Sequence, residues 1–200
     1  MRRLAAAVCV ATLLPAAAAG HSFSDGLGPV GYLVEGALAV WVQPWLILPV
    51  AALGIGLGLA GRMRRALVLL GLGLVAGLVL SPLIVAQAIV APPLAVGLVM
   101  AVVAALVPPA RARGALPGLA VLTGVTVGAD AIEGYHVIDM PPTLPVGVAL
   151  GGLLAVAALG GAAAASRAWL VRPWVTILWR IAASWVAAIQ LLYLALLFAP

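Results

Sequence analysis

Between Gly36 and Gly61 the chain carries no charged side chain, and the stretches 66–91, 94–110, 114–129, 144–166 and 181–199 repeat the pattern. Such runs approach the roughly 20 apolar residues that a helix needs to cross a hydrocarbon core about 30 Å thick. Only 8% of the 200 residues are charged, against about 25% in an ordinary soluble domain. So few charges cannot cover a water-facing surface. The sequence therefore excludes a soluble globular protein and a disordered chain. It also excludes a nucleic-acid binder, although the net charge is +5, because the cations form short groups between apolar runs rather than one solvated basic face. The fold class expected is all-α: a polytopic membrane helix bundle of about six transmembrane helices.

Residues 1–20 read as a cleaved signal peptide, leaving 21–200 as a single membrane domain. Arg2 and Arg3 supply the charged start, Leu4 to Leu14 the apolar segment and Ala16 to Gly20 the small residues for cleavage after Ala19 or Gly20. An uncleaved anchor helix is the alternative. Cys9, the single cysteine, lies inside the apolar segment, so a cleaved chain holds neither a disulfide nor a thiolate metal site.

The groups between the runs alternate in character. One kind is basic: Arg62, Arg64 and Arg65, then Arg111 and Arg113, then Arg167, Arg172 and Arg180. The other is acidic or turn-forming: Asp25, then Pro92-Pro93, then Asp130 to Pro142. Short basic loops stay in the cytoplasm, which points to a multi-pass protein of a bacterial inner membrane with its mature N-terminus in the periplasm. The spans expected are 27–61, 66–90, 94–110, 114–131, 144–166 and 176–198. The first is long for one crossing, and Pro44 and Pro49 interrupt it. A re-entrant or tilted half-helix ahead of a full span satisfies the charges. Glycines recur along the runs, as at Gly54, Gly56 and Gly58, where small residues let helices approach closely. Of the tryptophans, Trp169, Trp174 and Trp179 are expected at the membrane interface, and Trp41 and Trp45 in the core.

Ionisable groups within a membrane are costly and mark functional sites. The run Asp130-Ala-Ile-Glu133-Gly-Tyr-His136-Val-Ile-Asp139 places a metal-capable side chain at every third position. On a helix the first three occupy one sector of about 120°. Carboxylates with a neutral imidazole suit a divalent transition metal such as nickel, cobalt, copper or zinc. A solvated outer loop with an acidic helix end is the alternative. Glu35, in the first apolar segment, needs a cation or His136 as partner if it is buried ionised; otherwise it sits at the outer interface. His21 chelates with its own amine if cleavage makes it the first residue. The candidate metal ligands are thus Glu133, His136, Asp130, Glu35, His21 and Asp139. Neutral polar partners are Gln43, Gln87 and Gln190. No nucleophile–base pair, HExxH or CxxC pattern is present. No enzymatic activity, no covalently held cofactor and no nucleic-acid partner are expected.

The pattern resembles the HupE/UreJ family of small membrane proteins associated with hydrogenase and urease operons. The likeness rests on His21 near the mature start, on the glycine-led segment from Gly31-Tyr-Leu-Val-Glu35-Gly36 to Leu53-Gly54-Ile-Gly56, on Gly128-Ala-Asp-Ala-Ile-Glu133-Gly134, and on a last helix reading Arg180-Ile-Ala-Ala-Ser184-Trp185-Val-Ala-Ala-Ile-Gln190. The resemblance implies a divalent metal-ion permease for nickel or cobalt, or a metal-handling accessory protein. The family's first span carries histidines where this chain has Gln43-Pro44. Its later His-Gly-x-Glu motif reads Asp130-Ala131-Ile132-Glu133 here, so that Glu133 alone carries over unchanged. A non-transporting membrane subunit or assembly factor for a metalloenzyme is the second reading. The partners expected are the lipid bilayer, the metal ion and, in that second reading, a membrane or metalloenzyme partner.

Overall fold

The structure is a computed structural model and describes residues 23–24, 26–61, 63–83, 90–132 and 137–199. Among the described residues every regular element is helical: α1 Pro29–Val42, α2 Pro44–Ala60, α3 Met63–Leu80, α4 Ala91–Leu106, a short α5 Pro109–Ala112, α6 Leu116–Asp130, α7 Thr143–Leu170 and α8 Pro173–Leu197. Single 3-10 turns lie at Ser81–Leu83 and Val137–Asp139. The proposed signal segment, 1–20, lies outside the described residues.

Proline sets most of the helix starts. It stands in the first turn of α1, α2, α4, α5, α6 and α8, where its missing N–H costs no helix bond and its fixed φ is already helical. The same ring forces the preceding residue out of helical geometry. Gln43, before Pro44, is extended at φ −88° and ψ 117°, and this divides the first apolar run into α1 and α2, bent by 77°. Gly61 ends α2 in the left-handed region, at φ 69°, which glycine enters without a Cβ clash. Val171 takes the same region at the α7–α8 corner, at φ 41°. For a β-branched residue that costs about 1–2 kcal/mol. The corner is closed by the Trp179 indole, which donates to Ser166 Oγ at 2.8 Å.

Among the described residues three helices, α3, α7 and α8, are long and apolar enough to cross a membrane, and the bent pair α1–α2 counts as a fourth if it is one span. Helices α4 and α6 are shorter, at 16 and 15 residues, or about 24 and 22 Å of helix.

Helix α2 occupies the centre. From Ala52 to Ala60 every residue is buried, and it packs against α7, α4, α8 and α6. A helix that is apolar all round has no solvent face to offer and must be enclosed. Around it the closest approaches are made through glycine. Along α3 and α6, Gly73 and Gly77 face Val121 and Val125, while Gly124 and Gly128 face Leu70 and Leu74. These pairs advance in the same chain direction, so the two helices run parallel. A Cβ placed on Gly73, Gly124 or Gly128 would lie 2.5 Å from a carbonyl oxygen of the facing helix. Helix α7 forms two further parallel seams. Its first half lies on α1, with Gly147 against Leu33 and Gly151 against Ala37, and its second half on α2, with Gly160 against Gly54 and Gly58. The chain therefore advances along α7 through the Gln43-Pro44 break. The remaining large contact, α4 with α8, is antiparallel: Arg180 meets Ala105 and Gln190 meets Gly97.

Two arginines tie this arrangement together. Arg167 donates to the Leu59 carbonyl at 2.6 Å and to Gly58 at 3.3 Å. Arg180 donates to Ala105 at 2.7 Å and to Leu106 at 3.1 Å. Each guanidinium thus satisfies the last, otherwise orphaned carbonyls of a neighbouring helix and opposes the negative end of its dipole.

The seams give a direct stability test. Gly124→Ala forces a methyl onto the α3 backbone and is expected to cost roughly 1–3 kcal/mol. Gly161 faces open space, so Gly161→Ala is expected to be neutral or slightly stabilising through helix propensity. Thermal unfolding of the purified protein in detergent reads both.

Candidate functional site

The helix directions sort the charges. Arg64, Arg65, Arg111, Arg113, Arg167, Arg172 and Arg180 flank one set of helix ends, while Glu35 and Asp130 belong to the other. Asp139 lies just before α7, on the same side as Asp130, and is exposed.

Glu35 stands in the second turn of α1 and is half-buried. Its Oε1 accepts two hydrogen bonds at 3.0 Å, from the Ser24 backbone N–H and the Ser24 hydroxyl. These fix the carboxylate plane and fold the segment before α1 back over it. Its other oxygen, Oε2, is buried and makes no hydrogen bond among the described residues. Asp130 is the last residue of α6 and is 2% exposed. One residue earlier, the Ala129 carbonyl accepts a hydrogen bond from Ser81 Oγ at 3.0 Å, which joins the ends of α3 and α6. The backbone that presents Asp130 is thus held from both sides: the glycine seam below and the serine bond at the end.

The structure does not bring the six predicted ligands together as one described group. Glu133, His136 and His21 lie outside the described residues, as do Asp25 and Gln87. Among the described residues no three His, Cys, Asp or Glu side chains converge as a metal site. Glu35 and Asp130 stand on helices with different main neighbours: α1 lies on α7 and α6 on α3. Asp130 ends its helix, with only Ala131 and Ile132 between it and residues 133–136, which lie outside the described residues.

Gln190 is a second buried polar point. It is 0% exposed, and neither its amide oxygen nor its amide nitrogen has a hydrogen-bond partner among the described residues. A Cβ on Gly97 would collide with its Oε1 and with Pro49. Pro49 itself removes one internal bond from α2, so two helix irregularities and one amide meet at a single level of the bundle. The isolated glutamine was visible in the sequence, but its juxtaposition with Gly97 and Pro49 was not. Trp41, expected in the core, is 43% exposed on the outer face of α1. The break at Gln43 turns that face away from the bundle. Trp169 and Trp174 are exposed at the arginine-bearing end, whereas Trp179 is half-buried and bonded to Ser166.

No family model, curated protein or solved structure matches this chain.

An orphaned buried amide costs about 1–3 kcal/mol. Gln190→Leu, close in volume and without polar atoms, is therefore expected to raise stability by roughly that amount in a thermal melt. A loss of stability would mean that the amide has a partner in the folded protein.

Proposed function

We propose that the chain is a polytopic membrane protein that takes up or handles a divalent transition-metal cation, nickel or cobalt being the ions implied by its resemblance to the HupE/UreJ family. The observation that carries this reading is the Glu35 carboxylate, with Oε1 oriented by Ser24 and Oε2 without a hydrogen bond among the described residues, at the same helix ends as the buried Asp130. A carboxylate oxygen held in place with free lone pairs is a ready cation ligand, and the described arginines lie at the opposite helix ends.

In this reading the chain crosses a bacterial inner membrane six times after removal of residues 1–20, with α4 and α6 completed by flanking residues. The cation is the cargo. His21 or Asp25 captures it at the periplasmic face, and Asp130, Glu133, His136 and Glu35 hold it, with Asp139 at the entrance. It leaves past the arginine-bearing face. Imidazole and carboxylate together favour a borderline ion over magnesium or calcium, which prefer all-oxygen shells.

Calorimetry of the purified protein with nickel and cobalt, together with cellular metal uptake, tests the proposal. Wild type is expected to bind one of these ions, and Glu133→Ala with His136→Ala to lose at least tenfold in affinity along with uptake. No binding, with full uptake by the double variant, would overturn the metal role. A stoichiometric co-purifying protein in place of binding and flux would support the assembly-factor reading.

A further inference from the structure

At the arginine-bearing end a cavity of about 360 Å³ opens between the first turns of α3 and α6, lined by Arg65, Ala66, Arg113, Gly114, Leu116 and Pro117. Its two guanidiniums differ from those of Arg167 and Arg180. The latter are committed to the carbonyls that end α2 and α4. Arg65 and Arg113 are exposed and make no hydrogen bond or ion pair with the described residues. Nor is a carboxylate near among the described residues: the acid of α6, Asp130, is fourteen residues along the helix from Leu116, or about 21 Å. Two cations therefore share one cavity with no counter-charge among the described residues. Guanidinium groups match phosphate oxygens in charge and in the geometry of their paired N–H donors.

A second hollow begins one turn further along α3. It is an apolar groove of about 600 Å³ between α3 and α7, lined by Val68, Gly71, Leu72 and Val75 on one side and by Leu150 and Leu154 on the other. On α3, Arg65, Val68, Leu72 and Val75 follow one another at spacings of three, four and three, which places them along one stripe of the helix. From Arg65 to Val75 is ten residues, about 15 Å. That equals the depth of one leaflet in a hydrocarbon core about 30 Å thick. Gly71 keeps the groove open, since a Cβ there would come no nearer than 3.8 Å to Leu153. A larger side chain at this position projects into the groove.

We propose that this end of the bundle is a binding site for one anionic phospholipid, with its phosphate held between Arg65 and Arg113 and an acyl chain in the groove along α3. The inference rests on the membrane reading above but not on the metal. The shared chemistry is a phosphate anion, and the groove selects the lipid over free phosphate. Occupancy also offsets the repulsion between the two guanidiniums across the α3–α6 seam, so bound lipid stabilises that seam.

The test uses the full chain purified in a neutral detergent and no metal, so that its failure is distinct from failure of the metal reading. Native mass spectrometry and thermal unfolding are followed while dioleoyl phosphatidylglycerol, dioleoyl phosphatidylcholine or inorganic phosphate is titrated. Wild type is expected to retain one phosphatidylglycerol and to melt at a higher temperature with it, with phosphatidylcholine at least tenfold weaker. Arg65→Gln with Arg113→Gln abolishes that preference, while Arg172→Gln, an exposed arginine outside the cavity, retains it. Gly71→Leu fills the groove and weakens phosphatidylglycerol. Equal stabilisation by inorganic phosphate, or no difference between the two lipids on wild type, overturns the proposal. So does a double variant that folds and keeps the preference.

Discussion

Close backbone contact through glycine is the interaction on which the rest of this structure depends. Helices surrounded by lipid gain little from burying leucine against leucine, because the tails are as apolar as the side chains. What remains is van der Waals contact at short range, and glycine gives the shortest range. The seam of Gly73 and Gly77 with Gly124 and Gly128 joins α3 to α6, and Gly147, Gly151 and Gly160 lay α7 along α1 and then α2. Each seam is parallel, so each brings like helix ends together. That alignment gathers the arginines at one end and the carboxylates at the other. The segregation of charge is thus a consequence of how the small residues are spaced.

The irregularities sit where the seams leave room for them. Gln43-Pro44 breaks the first apolar run, yet both pieces stay on α7, because glycines recur on either side of the break. Pro49 lies in the enclosed helix α2 beside Gly97 and the Gln190 amide. Carbonyls at the ends of α2 and α4 are met by Arg167 and Arg180, which approach from helices distant in sequence. Long basic side chains at a helix boundary thus do two jobs. They close helix ends that would otherwise be costly to bury, and in the proposed membrane they would also bias orientation.

Much of the fold was legible in the sequence because it follows from local rules. Uncharged runs gave helices and Pro44 gave the break, whereas Pro49, read with it as an interruption, is accommodated inside α2. The tertiary roles were not legible. Nothing in the spacing of Arg167 and Arg180 says which carbonyls they reach. Helix α7 continues to Leu170, past the uncharged run that ends at 166, because Arg167 finds its partners on α2 rather than in solvent. Trp41 was expected inside because its neighbours are apolar, but in a chain so rich in apolar residues that pattern no longer separates inside from outside. At the candidate site, the residue types of Glu35 and Asp130 were readable. The double hydrogen bond from Ser24 and the Ser81–Ala129 bond that steadies Asp130 needed the fold. Arg65 of α3 and Arg113 ahead of α6 read only as topology signals until the cavity between them placed them together.

The central claim is that the carboxylate end holds a divalent cation through residues of this chain. X-ray absorption at the nickel edge of purified protein loaded with nickel alone tests it most directly. The expected spectrum shows oxygen ligands with the outer-shell scattering of one imidazole from His136, and that scattering disappears in His136→Ala. A spectrum indistinguishable from the hydrated ion, or one unchanged by that substitution, would contradict the claim.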